Sequence, residues 1–172
     1  VAWVEGKRIR AAWSEDAGRT FGKAQDIGTG QGPGLVAWRE KEELRAMAIW
    51  HDGSNETGGT VQSATWSGRS WSSPIRVDTA GAGAWPTVAV HEGRALAAWK
   101  DFRGGRFPEI WFADWDGTAW GNERSAGLKG GGDPCLTADG HGRYCLGFQK
   151  ARTVHFTSSA DGGRTWTPAV EV

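Results

Sequence analysis

The sequence predicts an all-β fold that is assembled from consecutive modules of similar length. Three observations lead to this prediction. Apolar runs of four to eight residues are bounded by turn-forming residues, and none of them shows helical periodicity. The 172 residues include 27 Gly, which is typical of a chain with many tight turns. The same order of short strands and turns then recurs along the whole chain.

The repeat is clearest in a short segment that precedes the last strand of each module. Residues 14–21 read S-E-D-A-G-R-T-F and residues 159–166 read S-A-D-G-G-R-T-W, so both fit the pattern S-x-D-x-G-x-T-[WF]. Residues 64–71 and 113–120 keep the Gly and the closing aromatic but carry Trp in place of the Asp. The closing aromatics lie 46 to 50 residues apart, which is the length of one four-stranded propeller blade.

The remainder of each period supplies two strands before the segment, a third that leads into it and a fourth that leaves it. Trp3 and Phe148 both lie 18 residues before their closing aromatic, so residues 1–4 align with a second strand. We therefore predict a single domain that is a β-propeller segment of four consecutive four-stranded blades, the first of which lacks its innermost strand. The predicted blades extend approximately over residues 1–29, 30–79, 80–128 and 129–172.

These segments resemble the Asp box of BNR-repeat β-propellers, the sialidase-like superfamily that includes many secreted proteins. The resemblance covers the whole chain, and two intact boxes in phase with two altered ones make it specific. It implies a structural role on the face opposite the ligand site, in which the Asp accepts turn hydrogen bonds and the closing aromatic packs between sheets. Where Trp66 and Trp115 replace the Asp, we expect packing to replace the hydrogen bonds. The box residues are Ser14, Asp16, Gly18, Phe21, Gly68, Trp71, Gly117, Trp120, Ser159, Asp161, Gly163 and Trp166.

Charge and hydropathy limit the partners that can be expected. The 20 basic and 20 acidic side chains give a net charge of zero without any block of like charge, so we predict no nucleic-acid partner. No apolar run is long enough to span a membrane, and no cofactor is predicted. The resemblance implies a carbohydrate partner and a secreted or extracytoplasmic, bacterial location. Because the first blade is incomplete, we also expect self-association or a longer parent chain.

The ligand site is predicted from strand direction. Turns after the second and fourth strands lie opposite the boxes, on the face where propellers of this superfamily bind ligands. Arg side chains suit sugar oxygens and a Trp face suits a sugar ring. Two alternatives remain open: Asp101 and Arg103 pair with each other or brace a blade, and His51 is a solvent-facing turn residue rather than an acid–base group. Inter-blade candidates include Glu123, Lys129 and Asp133, and the predicted ligand residues are Trp85, Asp101, Arg103, Arg106, His51 and Asp52.

Catalytic residues are not identified by the sequence. The resemblance implies that a sialidase would carry three arginines, a Tyr–Glu nucleophile pair and an Asp acid. The only Tyr is Tyr144, which follows the first hairpin turn of its blade and so lies at the box end, and no R-[IL]-P motif occurs. The sequence therefore favours a propeller that binds carbohydrate or acts as a scaffold, without a complete catalytic site in this segment. The alternatives are a fragment of an exo-sialidase-type glycoside hydrolase and a structural or self-assembling fragment.

The two cysteines flank the first hairpin turn of the fourth blade. If the turn is centred on Gly140, Cys135 and Cys145 lie directly opposite each other, close enough for a disulfide. The same cysteines could be combined with His141 and His155 as metal ligands. The hairpin pairing is the better account, so we predict a disulfide and no metal site.

Overall fold

The computed structural model describes residues 1–105 and 107–172. No helix occurs among these residues, and hence none that could cross a membrane. The all-β prediction is confirmed. The strands, in chain order, are β1 (Ala2–Glu5), β2 (Arg8–Ala11), β3 (Gln25–Thr29), β4 (Gln31–Glu40), β5 (Glu43–His51), β6 (Val61–Trp66), β7 (Ile75–Arg76), β8 (Gly83–His91), β9 (Arg94–Asp101), β10 (Glu109–Trp115), β11 (Trp120–Lys129), β12 (Gly131–Ala138), β13 (Tyr144–Lys150), β14 (Thr153–Ser159) and β15 (Val170–Glu171).

The strands form four antiparallel sheets, in each of which consecutive strands pair. Blade 1 comprises β1 to β3, blade 2 comprises β4 to β7, blade 3 comprises β8 to β11, and blade 4 comprises β12 to β15. Blade 1 has three strands, and its first strand occupies the place of a second strand, as predicted. In blades 2 to 4 the box segment connects the third and fourth strands, and in blade 1 it connects the last two strands, β2 and β3. The predicted layout of four consecutive blades with an incomplete first blade is confirmed.

The hydrophobic core lies between the sheets. One buried cluster joins blades 1 and 2, a second joins blades 2 and 3, and a third joins blades 3 and 4. Each blade therefore buries apolar side chains against its neighbours, as expected when sheets pack face to face. The aromatics near the end of the second strand are prominent members of these clusters, namely Trp50, Trp99 and Phe148.

In blades 3 and 4 the closing aromatic of the box packs on the blade before it. The Trp120 indole donates a hydrogen bond to Ser63 Oγ in blade 2 (2.8 Å), and Trp166 stacks on Phe112 in blade 3 with 4.8 Å between ring centroids. Phe21 belongs to blade 1, and no blade lies before it in the described residues. Its ring is 47% exposed, so the expectation that every closing aromatic packs between sheets is wrong for Phe21.

The predicted disulfide between Cys135 and Cys145 is wrong. The hairpin turn is wider than predicted, because Asp139 N donates to Arg143 O (3.0 Å) and the Asp139 carboxylate accepts hydrogen bonds from turn amides. The centre of the turn therefore shifts by one residue and the strand register by two. Both cysteines are free. The residues that face each other are Cys135 and Gly147, and Thr137 and Cys145.

Candidate functional site

The innermost strands β4, β8 and β12 share an irregularity near their start. Each contains an X-Pro dipeptide: Gly32-Pro33, Trp85-Pro86 and Asp133-Pro134. In each blade these two residues lie opposite a single residue of the second strand, which makes the dipeptide a β-bulge. Proline has no N–H to donate to the ladder, so it favours such an interruption. The residues opposite the bulges are Trp50, Trp99 and Phe148.

The residue before each proline has a left-handed backbone. The φ angles are 61° at Gly32, 50° at Trp85 and 49° at Asp133. Glycine adopts this conformation readily, whereas for a residue with a side chain it costs about 1–2 kcal/mol. Strain of this kind at residues with side chains is concentrated at functional sites. The same left-handed bulge therefore sets the backbone conformation of Trp85 and Asp133 in two neighbouring blades.

A groove of about 500 Å³ lies between the three bulges. We call it the axial groove, because it is formed by the innermost strands of blades 2, 3 and 4. Trp85 and Asp133 both present exposed side chains to it, whereas the third bulge is left open by Gly32. Its lining residues are Gly32, Pro33, Trp85, Pro86, Thr87, Asp133, Pro134 and Cys135.

His51 lies beneath the groove and not on its surface. The side chain is completely buried, its ring is 6.5 Å from the Trp85 ring, and a Cβ atom at Gly32 would come within 3.2 Å of its Nε2. Burial lowers the pKa of His51, against the opposing effects of Asn55 and Asp52, so the imidazole is neutral at pH 7. Neither ring nitrogen makes a well-formed hydrogen bond among the described residues. His51 is thus not solvent-facing, and its place is that of a support for Trp85.

Asp101 is a buried hydrogen-bond acceptor that joins two neighbours in blade 3. Its carboxylate accepts from Trp99 Nε1 (2.8 Å) and from the backbone N, Nε and Nη2 of Arg103 (2.8 Å each). Burial alone would raise the pKa of Asp101, but the hydrogen bonds from Arg103 and Trp99 outweigh it and the pKa is lowered. Asp101 and Arg103 therefore pair with each other, which is the bracing alternative left open by the sequence.

The Arg103 guanidinium contacts two carboxylates and one indole ring. It pairs with Glu123 as well as with Asp101, and its central carbon lies 3.6 Å from the ring centroid of Trp111. Burial opposes the charge of Arg103, but the two carboxylates outweigh burial and raise its pKa. Glu123 also accepts from Thr79 N (2.9 Å), which ties the brace to the segment that follows blade 2. Arg103 is thus a structural cation and does not line the axial groove.

The remaining predicted ligand residues divide in two. Asp52 accepts hydrogen bonds from Thr60 N (2.7 Å) and Gln62 Nε2 (3.1 Å), so it orders its own turn. Arg106 lies outside the described residues. Among the predicted ligand residues that are described, only Trp85 lines the groove. Asp133 was one of the wider inter-blade candidates, and the recurrence of X-Pro at the start of each innermost strand is the sequence signal that singles it out.

The two intact boxes fold into the same hydrogen-bonded turn. Ser14 Oγ accepts from Gly18 N (2.7 Å) and donates to Asp16 Oδ1 (2.7 Å), while Asp16 accepts from Thr20 N (2.8 Å) and Thr20 Oγ1 (2.6 Å). The same four bonds recur in blade 4 at 2.6 to 2.9 Å. The residues concerned are Ser159, Gly163, Asp161 and Thr165.

The altered boxes keep more of this turn than expected. Trp66 and Trp115 stand in place of the Asp, and their rings lie 5.8 and 5.5 Å from the closing Trp of the same segment. In blade 3 the hydrogen bonds persist as well, because Asp116, one residue later, accepts from Thr118 N (2.8 Å) and Ala119 N (2.9 Å). The expectation that packing replaces the hydrogen bonds is therefore wrong for blade 3.

The carboxylates of Asp16 and Asp161 should make the free energy of unfolding decrease in acid. Hydrogen bonds from Thr20 and Ser14 lower the pKa of Asp16 to about 2, and the matching bonds lower the pKa of Asp161. An Asp in the unfolded chain has a pKa of about 3.9. Below that pH the unfolded chain therefore binds more protons than the folded chain, and the free energy of unfolding falls as the pH falls. We expect this loss below about pH 4, measured as urea midpoints at a series of pH values.

Substitution assigns the acid sensitivity to these two residues. The double variant Asp16→Asn, Asp161→Asn should be less stable at neutral pH and should lose less stability on acidification than the unaltered chain. Glu56→Gln serves as the control, because Glu56 lies at an exposed turn outside the boxes. Its stability should change with pH as in the unaltered chain. Equal acid slopes for the double variant and the control would contradict the assignment.

Several solved structures share the fold of this chain. No protein-family model and no curated protein sequence matches the chain. Among solved structures, the Hadza microbial sialidase Hz136 matches over 93% of this chain, with 18% identity and a TM-score of 0.68. The six-bladed β-propeller lectin of the fungus Aleuria aurantia, described for its fucose recognition, matches over 99%, with 15% identity and a TM-score of 0.68.

The fold is that of a β-propeller, shared with sialidases and with a lectin. A third structure agrees, since the Trypanosoma rangeli sialidase in complex with the inhibitor DANA matches over 96% of this chain with 14% identity and a TM-score of 0.58. The chain spans 39%, 55% and 33% of these three structures, respectively. Within this propeller segment, Tyr144 is buried at the start of β13, at the box end and away from the axial groove.

Proposed function

We propose that this propeller segment binds carbohydrate in the axial groove, with Trp85 as the stacking surface for a sugar ring. The observation that carries the proposal is the exposure of Trp85. All 12 Trp residues lie in the described part of the chain, and Trp85, at 42%, is the exposed one among them. An exposed indole in a groove with a few polar groups is the usual composition of a small-ligand site.

The fold itself does not require Trp at position 85. The equivalent bulge carries Gly32 in blade 2 and Asp133 in blade 4, and both bulges form with the same left-handed backbone. Trp85 also bears the conformational cost of that backbone, which glycine would relieve. A large ring that is exposed, strained and dispensable for the fold is best explained by contact with a ligand.

The nature of the ligand is supported by polarity and by the structural neighbours. The groove offers the Asp133 carboxylate and the Thr87 hydroxyl beside the indole, a combination that suits sugar hydroxyls as well as the apolar face of a sugar ring. The neighbours with this fold include sialidases and a fucose-recognising lectin, all of which act on or bind carbohydrate. A groove of about 500 Å³ is in the range of small-molecule sites.

The proposal is tested with Trp85→Gly, because glycine already occupies the equivalent bulge in blade 2. The variant should keep the fold and lose at least about tenfold in affinity for any glycan that the unaltered chain binds on an array, as expected for the loss of a stacking contact. Phe21→Ala is the matched control, since Phe21 is an exposed aromatic at a box. Unchanged glycan binding by Trp85→Gly, or binding lost with Phe21→Ala instead, would refute the assignment.

A further inference from the structure

We infer that the axial groove accepts neutral sugars and discriminates against acidic ones. This inference rests on the proposed function and adds the chemical class of the ligand. The first ground is the charge of the lining. Among the described residues that line the groove, Asp133 is the one charged side chain, and no Lys or Arg is present. A carboxylate of a sugar acid would therefore meet a like charge and no counter-charge on the groove surface.

The second ground is the state of two cations of blade 3, Lys100 and Arg103. Lys100 Nζ lies 3.8 Å from Asp133 Oδ1 and 5.3 Å from the ring centroid of Phe102, and its side chain is 21% exposed. It is therefore engaged by the carboxylate that lines the groove, and it is not itself a lining residue. Arg103 is held by Asp101 and Glu123 against an indole face, so it cannot turn towards a ligand without breaking two ion pairs.

The third ground is the chemistry that the groove does offer. The Asp133 carboxylate is half exposed, at 51%, and its backbone is held by the bulge, so it presents acceptor oxygens beside the Trp85 ring. Neutral sugars donate hydroxyl hydrogen bonds, and such bonds to a carboxylate are stronger than those between neutral groups. An indole and a carboxylate together also tolerate a positive charge, since the ring face attracts cations. The groove is thus suited to neutral sugars and compatible with amino sugars.

The experiment compares sugars that share a ring configuration and differ in the charge of one substituent. The probes are glucose and glucuronic acid, and galactose and galacturonic acid, each immobilised through the same linker, with glucosamine as the cationic member. The unaltered chain should bind the better neutral member of a pair at least about tenfold more tightly than its acid. Glucosamine should bind no more weakly than glucose.

Two variants assign the discrimination to Asp133. Asp133→Asn retains the size and an acceptor oxygen but removes the charge and releases Lys100, so the preference for the neutral sugar should fall by about tenfold or more. Lys100→Gln removes the cation, so the preference should persist or increase. Trp85→Gly should reduce binding of both members of a pair without changing their ratio.

The possible results separate this inference from the function on which it rests. Equal binding of a neutral sugar and its acid by the unaltered chain, both lost in Trp85→Gly, would overturn the selectivity and leave carbohydrate binding intact. An unaltered ratio in Asp133→Asn would overturn the assignment of selectivity to Asp133. Binding of no probe, together with no binding on a broad glycan array, would contradict the proposed function and this inference with it.

Discussion

Replacing Trp50 with alanine is expected to lower the free energy of unfolding by about 4 kcal/mol, the range found for buried aromatics. Trp50 is completely buried in the cluster between blades 1 and 2, and its Nε1 donates to Thr29 O in blade 1 (3.0 Å). Gly28 lies flat against the ring, since a Cβ atom there would come within 2.3 Å of it. Alanine at position 50 would leave a cavity between blades 1 and 2 and remove the hydrogen bond to Thr29 O.

The loss should be greatest where blade 1 is attached. Blade 1 has three strands, and Trp50 reaches into its packing face, so amide exchange in β1 to β3 should accelerate more than in blade 4. The overall change is measured by urea denaturation and the local change by hydrogen exchange. Trp85→Gly is the control within the same residue type and should change stability by less than about 1 kcal/mol. A similar loss in both variants would mean that Trp50 does not hold blade 1.

Replacing Asp101 with alanine should lower the free energy of unfolding by about 3 kcal/mol. The carboxylate is buried, and its removal leaves the Trp99 N–H without a partner inside the core and the Arg103 guanidinium with Glu123 alone. The cost of an unpaired buried donor and a half-paired cation, and not the net strength of the ion pair, sets this magnitude. The measurement is again the urea midpoint with its slope.

Graded variants distinguish this brace from a ligand site. Asp101→Asn keeps an acceptor oxygen for Trp99 and should cost less than the alanine variant, about 1–2 kcal/mol. Asp133→Asn replaces an exposed Asp and should leave the free energy of unfolding within about 0.5 kcal/mol. If Asp101→Ala is as stable as the unaltered chain but fails to bind glycans, Asp101 is a ligand-binding residue and not part of a brace.

The contrast between Asp101 and Asp133 shows that residue type alone does not decide which charged side chains line the groove. The run Asp101-Phe102-Arg103 carries an acid and a base side by side. Both are ligand residues by prediction, with mutual pairing or bracing of a blade as the open alternative. Adjacent opposite charges satisfy each other when burial makes an unpaired charge costly, so they became the brace of blade 3. Asp133 lacks such a neighbour in sequence and stays exposed at its bulge.

The cysteine hairpin shows a second limit of the same kind. The sequence predicts a turn centred on Gly140, because Gly is the residue that tight turns prefer. The Asp139 side chain instead accepts hydrogen bonds from two turn amides and closes a longer turn. Because strand register is set by the turn, a change of one residue in its centre moved each cysteine to a different partner.

The sequence alone determined the all-β fold, the number and order of the blades, the incomplete first blade and the positions of the box turns. These features follow from local patterns that recur at a fixed interval, and repetition makes each weak local signal decisive. Only the tertiary structure decided which polar residues reach a common groove. The three X-Pro bulges lie 48 to 53 residues apart in the chain and meet because the blades pack side by side. Burial between blades decided that Asp101, Arg103 and His51 serve the fold, whereas Trp85 and Asp133 remain exposed.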